Sequence, residues 1–60
     1  MITTICYGQK ETFKTRKAAI ESFEEAIDGC DPGSSECSRY VSIVQQLRAG
    51  ATVATDDVDF

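Results

Sequence analysis

YGQKETFKTRKAAIESFEEAI, from Tyr7 to Ile27, holds a turn, a β-prone run, a basic cluster and an acidic amphipathic stretch in 21 residues. The change from β-prone sequence to helical spacing falls inside it. Upstream, ITTICY (residues 2–7) is rich in β-branched residues, and ETFKT (residues 11–15) is a second β-prone segment. Gly8-Gln9 lies between them, and glycine at the first central position suits a two-residue type II′ hairpin. That register sets Tyr7 opposite Lys10 and Cys6 opposite Glu11. Ile2, Thr4, Cys6 and Phe13 then share one face of the hairpin, with Ile5 and Tyr7 on the other.

Beyond the hairpin, Thr15 is a candidate N-cap. Ala19, Ile20, Phe23, Ala26, Ile27 and Cys30 recur at three- and four-residue intervals, which is one helical stripe. Gly29 is suited to end that helix, and DPGSS (residues 31–35) reads as a turn leading to a cap at Ser34 or Ser35. A second stripe follows at Cys37, Tyr40, Val41, Val44 and Leu47, with Gly50 as a left-handed stop. ATVAT (residues 51–55) is β-prone and returns as a third strand of open position. The order is β-β-α-α-β. Residues 1–60 are expected to form one small α+β domain, with two helices packed on one face of a small sheet.

Sixty residues bury only about 60% of the unfolded surface, so such a domain is marginal unless something else supports it. With 42% hydrophobic and 27% charged residues the composition is that of a globular chain. No apolar run approaches the roughly 18 residues of a membrane span, and MITTICYG lacks the basic-then-apolar order of a signal peptide. The expectation is a cytoplasmic protein with no membrane partner. Reduced thiols are then expected at Cys6, Cys30 and Cys37. All three read as small packing residues, although Cys30 and Cys37 flank one loop and are candidates to approach each other.

Familiar catalytic equipment is missing from the alphabet. There is no histidine, no phosphate-binding glycine loop, no dinucleotide fingerprint and no CxxC pair. Three cysteines without histidine fall short of a four-ligand zinc site. Neither a Cys-His nor a Ser-His nucleophile system is available. The expectation is a non-enzymatic protein with no cofactor, no metal and no catalytic residue.

Charge carries the remaining signal. Lys10, Lys14, Arg16 and Lys17 stand against only Glu11 between Gly8 and Ala19. Glu21, Glu24, Glu25, Asp28, Asp31 and Glu36 then follow with no basic residue before Arg39. Base at the start and acid at the end oppose the helix dipole, each costing about 0.3–1 kcal/mol at exposed sites. Lys17 and Glu21 are spaced for an i,i+4 pair in its weaker orientation. In the plain structural reading the acids form a solvated face, answered by Arg39 or Arg48 on the neighbouring helix. In the functional reading Glu21, Glu24, Glu25 and Asp28 form a ridge that meets a basic protein surface, or stands in for DNA phosphates at a nucleic-acid-handling enzyme.

The alternative from another class is direct nucleic-acid binding through Lys10, Lys14, Arg16 and Lys17, with Tyr7 for stacking. A net charge of −4 disfavours it. Self-association is a further expectation, because Ile5 and Tyr7 give the hairpin a second apolar face. That homodimer reading competes with cover by Val58 and Phe60 at the chain end.

Tyr7-Gly8-Gln9, Phe13 to Lys17 with Ala19, Ser35-Glu36, Arg39-Tyr40, Gln46-Leu47, Gly50, Val53 and Asp56-Asp57 form a pattern spread over nearly the whole chain. In that pattern the chain resembles a group of short proteins from phages and conjugative elements of gut Firmicutes, for which no activity is established. The resemblance implies a mobile-element accessory protein. The chain departs from the group at CDPGSSEC (residues 30–37), where a shorter EGSE-like stretch would sit.

Overall fold

In the computed structural model, residues 1–56 are described. The elements are β1 (Ile2–Cys6), β2 (Gln9–Phe13), α1 (Arg16–Asp28), α2 (Ser35–Arg48) and β3 (Val53–Thr55). The sheet order is β2-β1-β3, with β1 antiparallel to β2 and parallel to β3. Both helices cover one face, so the α+β arrangement expected from the pattern is the one observed.

The hairpin turn sits one residue earlier than expected. Cys6 pairs with Gln9 and Ile5 with Lys10, leaving Tyr7-Gly8 as the two-residue loop. Both loop residues have positive φ, 53° at Tyr7 and 76° at Gly8, which makes a type I′ turn in place of type II′. Tyr7 therefore does not face Lys10, and Cys6 does not face Glu11. The pairing moves by two positions, and side chains alternate with period two, so the faces survive. Ile2 and Thr4 are buried, while Cys6 and Phe13 pack half-buried against the core.

Both N-caps are side-chain oxygens accepting the third backbone N–H of their helix: Thr15 Oγ1 from Ala18 and Ser34 Oγ from Cys37, each at 3.1 Å. Gly29 ends α1 in ordinary right-handed geometry. At the end of α2, Gly50 has φ 105°. Its N–H donates to the Leu47 carbonyl and that of Ala51 to the Gln46 carbonyl, the double closure of a Schellman motif.

The core is Ile2, Ala19, Phe23, Ile43, Val44, Leu47 and Ala54. Phe23 ties the layers, lying edge-on to Phe13 at 6.2 Å and tilted against Tyr40 at 5.9 Å. The α2 stripe is rotated from the expected one. Ile43 is fully buried and Val41 is 36% exposed. The reason is tertiary: α2 packs against α1 and against β3 together, so its buried arc is wider than one helix neighbour requires and is turned toward the sheet.

Candidate functional site

Three groups of polar side chains bear on function: an acidic helix face, a basic patch that the fold divides, and a buried lock at the hairpin turn.

The acidic face is built by helical spacing. Glu21, Glu24, Glu25 and Asp28 stand at i, i+3, i+4 and i+7, all exposed, and together line one shallow depression on α1. Arg48 Nη2 bonds Glu24 Oε2 at 2.7 Å, so one acid is answered from the neighbouring helix as the structural reading expected. Arg39 does not join it. The Lys17–Glu21 pair also does not form among the described residues. The side chains of Glu21, Glu25 and Asp28 keep no hydrogen-bonding or ion-pair partner there. No basic residue occupies the last turn of α1, and the carbonyl end of the helix adds to the negative field.

The basic patch does not stay together. Arg16 turns inward at the start of α1, and its Nη1 donates to the carbonyls of Leu47 (2.6 Å) and Ala51 (2.7 Å). Nη2 reaches Gly50 O at 3.3 Å. A guanidinium at the C-terminus of α2 satisfies carbonyls the helix leaves open and complements its dipole. Lys10, Lys14 and Lys17 remain exposed. Tyr7 is 56% exposed, but the Arg39 guanidinium lies over its ring at 4.8 Å from the centroid. Tyr7 thus belongs with Arg39 and not with the lysines.

The lock centres on Asp56, 7% exposed and just past β3. Its Oδ2 accepts from the Tyr7 N–H at 2.9 Å and from Arg39 Nη1 at 2.8 Å. The Tyr7 backbone bond leads, and the Arg39 bond adds, in holding the Asp56 carboxyl below the ordinary carboxylate value against the opposing effect of burial. Burial first, then the Asp56 carboxylate, pushes the Cys6 thiol up. A left-handed Tyr7 costs about 1 kcal/mol in strain, and the anchored N–H and covered ring offset it.

A second long-range contact joins Gln46 to the backbone of Thr55. The side-chain Nε2 donates to the Thr55 carbonyl at 2.7 Å, and Oε1 accepts its N–H at 3.2 Å. Sequence reading missed Asp56 and Gln46 alike. The available signals were a polar residue set between Ile43 and Leu47 on a buried stripe, and an acid placed directly after a strand.

The thiols are free. Cys30 donates to the Ile27 carbonyl at 3.1 Å. The Cys37 thiol, followed by burial, pushes the Cys30 thiol up to about 11. Val58 and Phe60, invoked as cover for Ile5 and Tyr7, lie outside the described residues, as do Asp57 and Asp59 of the acidic chain end. Among the described residues no helix is long and apolar enough to cross a membrane.

The fold and these groups define a small α+β domain carrying one strongly acidic helix face. No family model matches the chain, and no curated protein or solved structure matches it either.

Proposed function

We propose that the chain is a non-enzymatic protein-binding module whose acidic α1 face docks on a basic protein surface. One observation carries the reading: Glu21, Glu24, Glu25 and Asp28 share a single depression, and among the described residues only Glu24 is neutralised by a neighbour. A field of one sign speeds and orients encounter with an oppositely charged partner. The resemblance to phage and conjugative-element proteins points to a cytoplasmic accessory role, with a nucleic-acid-handling enzyme as the sharper target. Direct nucleic-acid binding is the weaker reading, because Arg16 is spent inside the fold and the Tyr7 ring already carries the Arg39 guanidinium. Only Lys10, Lys14 and Lys17 are left to it.

The test is a pull-down from native-host lysate with protein and nucleic acid both assayed, beside a bait carrying Glu21→Gln, Glu24→Gln, Glu25→Gln and Asp28→Asn. The proposal expects one protein that is captured by the native chain, released by salt and lost with the neutralised bait. Nucleic acid retained equally by both baits, with no such protein, overturns it.

A further inference from the structure

A cleft of about 340 Å³ opens between the helix-facing side of the hairpin and the helices. That volume is at the lower end of small-molecule sites. The helix-facing side of the hairpin contributes Thr4, Cys6, Gln9 and Glu11; α1 contributes Ser22 and Phe23, and α2 contributes Tyr40. Among the described residues Glu11 is the one formally charged side chain in this lining, and it has no ion pair.

The floor holds a polar group awaiting a partner. Thr4 is 1% exposed, and its hydroxyl enters no hydrogen bond among the described residues. Among the described residues no buried side-chain oxygen or nitrogen is sealed without a partner, so the hydroxyl keeps its opening through the cleft it lines. Aromatic faces favour positive charge, and Phe23 and Tyr40 bring rings to the lining, whereas the Tyr7 ring at its edge is already taken by the Arg39 guanidinium. The fold cannot supply a lysine from the same strand. Lys10 neighbours Glu11, and strand alternation sends it to the opposite face of the sheet.

We infer that this cleft binds a primary ammonium on a short alkyl stem, with Glu11 as counter-ion, Thr4 as the buried acceptor, and Phe23 and Tyr40 against the stem. The chemistry fits a free alkylamine or the side chain of a partner's lysine. The site is separate from the acidic ridge: none of the four ridge carboxylates lines it.

The test is an NMR titration of the full chain with n-butylammonium, n-butanol as neutral isostere, and a blocked Gly-Lys-Gly peptide. Butylammonium should move the Thr4, Glu11 and Tyr40 resonances saturably, and butanol should bind at least about tenfold more weakly. Glu11→Gln, on an exposed edge strand, should weaken the amine about tenfold while leaving the remaining amide spectrum dispersed. Thr4→Val should weaken it with Glu11 intact. Equal binding of the peptide assigns the ligand to a protein lysine, and binding of butylammonium alone assigns it to a free amine. Shifts that do not saturate, that centre on Glu21 to Asp28, or that survive Glu11→Gln unchanged overturn the inference.

Discussion

Asp56 shows how much one carboxylate does in a chain this short. It fixes the hairpin turn through the Tyr7 N–H, holds Arg39 on α2, and through Arg39 covers the Tyr7 ring. Because its folded-state pKa is lowered, its contribution is fully present above the unfolded value of about 3.9 and is lost as pH falls through the folded value. Asp56→Asn keeps an oxygen for Tyr7 but removes the charge. It should cost about 1.5 kcal/mol at pH 7, and the stability difference from the native chain should shrink as pH falls below 4. Thermal unfolding followed by circular dichroism from pH 7 to pH 2 measures both. A difference that stays constant down to pH 2 would show that Asp56 acts by shape and not by charge.

Among the elements, α1 and α2 are joined end to end as well as side by side. Arg16 opens α1 and closes α2, so a residue that reads as part of a basic patch is a cap. Arg16→Gln should cost about 2 kcal/mol and speed amide exchange over the last turn of α2. Lys14→Gln and Lys17→Gln should stay within about 0.5 kcal/mol. Urea unfolding of the three variants separates the roles, and equal small effects would return Arg16 to the surface patch. Gln46 performs a comparable service for β3. Its amide bonds both the N–H and the carbonyl of Thr55, as a neighbouring strand would, and steadies a strand of only three residues.

At the scale of the molecule, stability of a 60-residue domain is roughly 3–9 kcal/mol, so core positions are individually large. Ile43 and Val41 make the contrast. Ile43→Ala removes a fully buried side chain and should cost about 3 kcal/mol, whereas Val41→Ala should cost under about 0.5 kcal/mol. Chemical denaturation reads the difference directly, and a costly Val41→Ala would mean that the outer face of α2 is covered in solution. The charges divide at the same scale. Of the two cations expected to answer the acids of α1, Arg48 reaches Glu24 and Arg39 is drawn to Asp56, while Arg16 of the basic patch is drawn to backbone carbonyls.

The order β-β-α-α-β, both N-caps, the stop at Gly50 and the facing of the hairpin were written locally, in two-residue alternation, helical spacing and turn chemistry. Each depends on residues within a few positions of one another, which is why it could be read without the fold. The turn register, the inward face of α2 and the fates of Arg16, Arg39 and Asp56 depend on partners 17 to 49 residues away. Only packing brings those partners within hydrogen-bonding distance. A charged side chain in sequence shows what it can bind; the tertiary structure decides whether the fold has already used it.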